Sequence, residues 1–228
     1  MSSYQKIKDL CEQNNWELSL FERYFKLIEH YNSFMNLTGF KGERLWEEGI
    51  LESLMFMLEI TKNKENISIL DIGAGAGFPS IPYILTKPTN KITIYEPIQK
   101  RVDFLNIVIE QLDLSDYVSV FRTRSEEVKE KNLFDIVTAR AVADVRSLLM
   151  SSFHLVKVKG SMILLKSNQL KSELTQAQDV LAKLDYNLKI QELSQTSSTR
   201  NNFILYIEKQ RSTNSEFPFA WKNIKSKK

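Results

Sequence analysis

Three glycines alternate within five residues, Gly73, Gly75 and Gly77, directly after the apolar run Ile67–Asp71 and just before Phe78 and Pro79. The chain has only seven glycines, so this is a concentration at one point. Glycine tolerates positive φ and lets a ligand approach the backbone closely, which suits a turn at the carboxyl end of a strand. The competing possibility is a tight strand-to-helix turn that binds nothing. A dinucleotide fingerprint would need glycine where Phe78 stands, so the spacing D-x-G-x-G-x-G is a different one. A second carboxylate, Glu96, ends the next apolar run 25 residues after Asp71. Arg140 lies just past a later run, where a guanidinium can meet a carboxylate or phosphate bidentately or simply pair with Asp144. Lys100, Arg101, Arg122, Arg124, Arg140 and Lys166 follow strand candidates, with Lys222 and Lys225 near the end. Those cations suit an anionic partner; a solvated surface is the bland alternative. His30, His154 and Cys11 have no ligand or nucleophile spacing, and no G-x-S-x-G elbow or P-loop is present. No metal site is expected.

These groups need a scaffold. With 228 residues, 43% hydrophobic and 26% charged, the chain has globular composition and can bury a sizeable core. One cysteine permits no intrachain disulfide, and the N-terminal residues lack the apolar stretch of a signal peptide, so a cytoplasmic protein is expected. No run approaches the length of a membrane span. Residues 1–62 read as a helical N-terminal extension. Leu20, Tyr24, Leu27, Ile28, Tyr31 and Met35 recur at helical spacing, and Ser19 with Glu22 has the spacing of a capping box. Shorter helices are expected around Tyr4–Cys11 and Leu45–Leu58. Residues 63–228 alternate strands and helices. Strands are expected at Ile67–Asp71, Ile92–Glu96, Val118–Phe121, Phe134–Thr138 and Met162–Lys166. Helices between them are expected at Phe78–Leu85, opened by Pro79, and at Lys100–Leu112, Asp144–Phe153 and Leu170–Leu184. Tyr186–Leu193 and Asn202–Glu208, joined by the polar stretch 194–201, then read as an antiparallel hairpin. The fold class is α/β: a Rossmann-like, mostly parallel sheet with one reversed strand and a short basic tail. Charge divides the same way, six Lys/Arg against ten Asp/Glu in residues 1–60 and 25 against 18 in the remainder.

The glycine cluster resembles motif I of the class I methyltransferases that use S-adenosylmethionine. In that resemblance Glu96 holds the ribose hydroxyls of the cofactor. Lys100–Leu105, Arg122–Glu127 and Asp135–Ala143, together with Asn36-Leu37-Thr38, resemble the RsmG (glucose-inhibited division protein B) family over nearly the whole chain. That family methylates N7 of a guanosine in bacterial 16S ribosomal RNA. The resemblance implies that Gly73, Phe78, Ser125, Glu126 and Arg140 line the cofactor pocket, joined on the general fold argument by Asp71, Gly75, Gly77 and Glu96. It implies no catalytic base, since N7 carries a lone pair and no proton. The partner would be ribosomal RNA or the small ribosomal subunit, met by a monomer. Departures are Gly49 where the family favours histidine, Ser167 where it favours glycine after lysine, and Phe219 where a Pro-Arg pair is common. Two other readings stay open: a methyltransferase acting on protein or a small molecule, and a noncatalytic nucleotide-sensing module.

Overall fold

The computed structural model describes residues 1–193 and 201–225; the segment 194–200, the last three residues and the Lys225 side chain lie outside the described residues. The chain opens with helices α1 (Ser3–Asn14) and α2 (Leu18–Met35), then a π-helical turn (Leu45–Leu51) running into α3 (Glu52–Thr61). The sheet strands are β1 (Ser68–Ile72), β2 (Lys91–Tyr95), β3 (Val118–Phe121), β4 (Phe134–Arg140), β5 (Val156–Lys166), β6 (Tyr186–Glu192) and β7 (Phe203–Lys209). Between them lie α4 (Ser80–Ile84), α5 (Gln99–Gln111), α6 (Val145–Ser152), α7 (Leu170–Gln176) and α8 (Gln178–Leu181), with α9 (Trp221–Lys225) after the last strand. The strand order is β3-β2-β1-β4-β5-β7-β6, with β7 antiparallel to both of its neighbours. The chain winds outward from β1 to β3 and then returns to β4 on the other side of β1. That reversal makes the carboxyl ends of β1 and β4 the topological switch point.

Strand periodicity assigns the residues to two layers. Ile69, Ile92 and Ile136 face an apolar cluster that also holds Ile7, Phe21, Tyr24, Leu54 and Phe56 of the N-terminal helices. Leu70, Ile72, Val137 and Ala139 face the opposite cluster, under α6, α7 and α8. The N-terminal helices therefore share a core with one sheet face. Lys209 is fully buried at the end of β7, its ammonium donating to Asn132 Oδ1 at 2.9 Å and to the Val156 carbonyl at 2.6 Å. Burial pulls its pKa down to about 8.

Several local expectations are corrected by tertiary contacts. The Ser19–Glu22 capping box does not form: Ser19 donates to Glu17 Oε1, and Glu22 accepts the Tyr4 hydroxyl at 2.6 Å. The expected helix over Leu45–Leu58 begins as π-helix, with Gly49 packed against side-chain tips that a larger residue would have to displace. A Cβ there would stand 2.9 Å from Leu45 Cδ1 and from the Phe78 ring. Pro79 is the residue before α4 rather than its first turn. β5 begins six residues earlier than expected, and its register against β4 shifts inside the strand, from Phe134 opposite Val156 to Ile136 opposite Ser161. The expected helix Leu170–Leu184 divides at Ala177 into α7 and α8.

One buried group makes stability depend on pH. His154 is fully buried, with Nε2 2.7 Å from the Val128 carbonyl and Nδ1 without a hydrogen-bond partner. Burial pulls its pKa from 6.5 down to about 4, opposed by the bond to Val128. Below 6.5 the unfolded chain binds a proton that the folded chain refuses, so this contribution to stability falls as pH drops from 6.5 towards 4. Asp71, whose pKa burial raises from 3.8 to about 7, acts in the opposite sense across that range, so the comparison must be between parent and variant. Urea midpoints measured at pH 7 and pH 5 should show a larger loss in the parent than in His154→Gln.

Candidate cofactor site

The glycine turn, the ends of β2 and β3, the loop after β4, α6 and the C-terminal segment enclose a cleft of about 360 Å³. That volume is within the range of small-molecule and cofactor sites. Gly73, Glu96, Ser125 and Glu126 line it, and so do Arg101 and Arg124. Glu96 is fully buried at its floor. Its Oε2 accepts the Gly75 amide and its Oε1 the Ile98 amide, each at 3.0 Å, while Arg101 Nη1 stands 3.9 Å from Oε2. One carboxylate thus ties the glycine turn to the loop after β2. Ser125 is buried and accepts from Ser152 Oγ at 2.8 Å, which fixes the loop after β3 against α6. Glu126 Oε1 and Arg101 Nε are both buried without a hydrogen-bond partner. A polar ligand in this cleft would find an acceptor and a donor already desolvated.

Other sequence-predicted residues stand outside the lining of this cleft. Asp71 lies beneath the turn, fully buried, with Oδ2 accepting from Ser80 Oγ at 2.7 Å. Burial pushes its pKa up to about 7, the Ser80 bonds working against that rise. Gly75 at φ +59° reaches the cleft only through its amide, and a Cβ there would meet nothing nearer than the Leu37 carbonyl oxygen at 3.9 Å. Gly77 at φ +105° is a packing position, where a Cβ would stand 2.4 Å from Ile81 Cγ1. Phe78 packs edge-on to Tyr24 and lies against Phe40 and the Arg140 guanidinium.

Arg140 belongs to a second, broader cavity of about 710 Å³ that shares the wall Ala141–Ala143 with the first. Its partner is Glu52, with Nη2 2.6 Å from Oε1, and not Asp144, which instead caps α6 by accepting the Ser147 amide. The guanidinium also donates to the Gly49 and Glu48 carbonyls and to Ser53 Oγ. Lys166 lines the same cavity but is engaged by Glu173 Oε2 at 2.8 Å and the Ala143 carbonyl at 2.7 Å. Lys100, Arg122 and Lys222 are exposed. The Lys225 side chain lies outside the described residues. Ile98, Thr123, Leu148, Ser151, Trp221 and Ile224 line the cleft as well, and none was a sequence candidate. Ile98 and Thr123 had a signal in their position just past strand ends; the others arrive through packing of α6 and the tail.

Among the described residues no group of three or more His, Cys, Asp or Glu is placed to hold a metal ion. No helix there is long and apolar enough to cross a membrane.

Residues 17–202 match the family model described as rRNA small subunit methyltransferase G. Ribosomal RNA small subunit methyltransferase G of Mycoplasmopsis pulmonis is 36% identical over 229 residues, covering 98% of this chain and 97% of that protein. Its namesake from Streptococcus pneumoniae is 34% identical over 219 residues, covering 92% of each. Among solved structures, a SAM-dependent methyltransferase from Aquifex aeolicus aligns with a TM-score of 0.52 at 16% identity, over 68% of this chain and 92% of that one. TYW2 of M. jannaschii in complex with AdoMet aligns with a TM-score of 0.52 at 17% identity, over 72% and 78%. The structural likeness is one of fold.

Proposed function

We infer, from the premise that this chain belongs to the rRNA small subunit methyltransferase G family, that it transfers the methyl group of S-adenosylmethionine to N7 of a guanosine in 16S ribosomal RNA. The observation that carries the placement of the chemistry is the cleft at the switch point, with Gly73 and the buried Glu96 on its floor. Within it Glu96 would take the ribose hydroxyls, and Glu126 Oε1, desolvated and without a partner, would accept the exocyclic amine of the purine. Gly73 and the amides of the turn would meet the amino-acid end. S-adenosylmethionine supplies an electrophilic methyl on a sulfonium.

The chain's own contribution is alignment. Guanine N7 is an acceptor with a free lone pair, so attack on the methyl carbon requires no general base. Holding the reacting atoms in line supplies the rate enhancement through proximity and orientation. The base would approach from the second cavity, across the Ala141–Ala143 wall that both cavities share. That arrangement supports Arg140 as the residue that positions the wall from below. Neither Lewis acid nor metal is required by this chemistry, and the reading extends to a monomer acting in the cytoplasm on the small ribosomal subunit.

Exposed cations beside the cleft, above all Lys100 at the start of α5, would track RNA phosphates. Lys100→Ala should weaken RNA binding and lower the slope of log affinity against log salt by about one unit, with cofactor affinity unchanged. Salt titrations of variant and parent check this. The reading as a whole is tested by mapping N7-methylguanosine in 16S ribosomal RNA from cells with and without the protein. An unchanged map would remove the RNA assignment.

A further inference from the structure

After β7 the chain does not leave the body. Phe217 is buried, the Phe219 amide donates to the Met150 carbonyl at 3.0 Å, and α9 lies against α6. Ile224 turns into the cleft with 6% exposure. Trp221, also in the cleft lining, receives the Arg124 guanidinium over its ring, 4.6 Å from the centroid. Arg124 itself precedes Ser125 and Glu126 at the carboxyl end of β3.

The order of the sheet fixes which end of the cleft this is. Along β1, β2 and β3 the cleft offers Gly73, then Glu96, then Ser125 and Glu126. With the ribose at Glu96 and the amino-acid end at the glycine turn, the purine falls towards β3. Trp221 and Arg124 stand at that station. An indole and a planar guanidinium offer broad, polarisable surface, and a purine stacks on such surface whatever its other contacts. The tail residues close a wall that the sheet and α6 leave open.

We propose that Trp221 and Arg124 form the wall of the cofactor site against which the purine of S-adenosylmethionine packs, so that the C-terminal segment is part of that site. The proposal rests on the assignment of this cleft to the cofactor. It gives Arg124 a role other than the phosphate contact expected from its position in the sequence. It also marks Trp221 as a reporter, because the other two tryptophans, Trp16 and Trp46, pack among the N-terminal helices.

The test uses the full chain and two ligands, S-adenosylmethionine and 5′-methylthioadenosine, which keeps purine and ribose but lacks the amino acid. Trp221→Ala should weaken both about tenfold by calorimetry, because base–aromatic stacking is lost from each alike. Trp221→Phe should recover most of that affinity. In the parent, tryptophan emission should change on titration with S-adenosylmethionine, and Trp221→Phe should bind without that change. Arg124→Ala should weaken both ligands in the same ratio. Trp221 is 42% exposed, so its removal leaves the core intact. Glu96→Ala serves as the control on the cleft. If it weakens binding while Trp221→Ala stays within twofold of the parent, the proposed wall is overturned and the cleft assignment stands. If both variants bind like the parent, the cleft assignment falls and the wall with it. An emission change that persists in Trp221→Phe, or an Arg124→Ala variant that alters only RNA binding, also overturns the proposal.

Discussion

Glu52→Ala should lower the stability of the folded chain by about 3–5 kcal/mol, the cost of leaving a buried charge without its counter-ion. Glu52 is 6% exposed, and its Oε1 meets Arg140 Nη2 at 2.6 Å. Its other oxygen accepts from the side-chain Nδ2 of Asn202, the residue just before β7. The Arg140 side chain is only 9% exposed, and its guanidinium faces the rings of Phe40 and Phe78. Burial pulls its pKa down from the ordinary arginine value, against the charges of Glu52 and Glu48. A guanidinium does not deprotonate at neutral pH, so removal of Glu52 leaves it a cation with too few compensating groups. The pair joins the N-terminal helices, the end of β4 and the start of β7, so no single element can relax to relieve it. Replacing both partners, Glu52→Leu with Arg140→Met, should cost far less than Glu52→Ala alone, because no charge is then buried. Urea unfolding of the parent, the single variant and the double variant at pH 7 measures the difference.

That pair also shows where the sequence stops being legible. Arg140 is four residues from Asp144, an obvious partner by spacing, yet its partner lies 88 positions earlier in the chain. Asp144 is occupied by the amide it caps. Local spacing speaks for local contacts only. The strands were legible as short β-rich runs alternating with helical patterns, and Val118–Phe121 has the boundaries expected of it. The first half of β5 was not, because Lys157, Lys159 and Gly160 read as a loop; only Val156 at its start pairs with β4, and the ladder with β7 begins at Ser161. Ser19 and Glu22 have capping chemistry, but Tyr4 of another helix takes the carboxylate.

The cleft divides on the same principle. Gly73, Glu96, Ser125 and Glu126 stand at or just past strand ends, and parallel topology brings strand ends together whatever the side chains do. Arg101 and Arg124 were legible as cations but not in direction, since rotamers that turn them into the cleft depend on α5 packing and on Trp221. Trp221 and Ile224 were illegible. Nothing in a short basic tail says that it folds back over α6.

Glu96→Ala should weaken binding of S-adenosylmethionine about ten- to a hundredfold, equivalent to the roughly 1.5–3 kcal/mol of a hydrogen bond to a charged group. The carboxylate is fully buried and holds the Gly75 and Ile98 amides at 3.0 Å each. It therefore shapes the glycine turn as well as offering acceptors to a ribose. Glu96→Gln has nearly the same shape but turns an NH₂ group towards one of those two amides, placing donor against donor. The isosteric variant should accordingly bind no better than alanine, which a loss of volume alone would not explain. Both variants should also be somewhat less stable, because two amides lose their acceptor, and urea unfolding establishes that the protein tested is folded. In the proposed role the contact would be made by bound cofactor and would not change as the methyl moves. Steady-state kinetics on small-subunit RNA should then show a raised KM for S-adenosylmethionine with kcat close to the parent value, the pattern of lost uniform binding. A fall in kcat with KM unchanged would place Glu96 in the transfer step and contradict the role given to it.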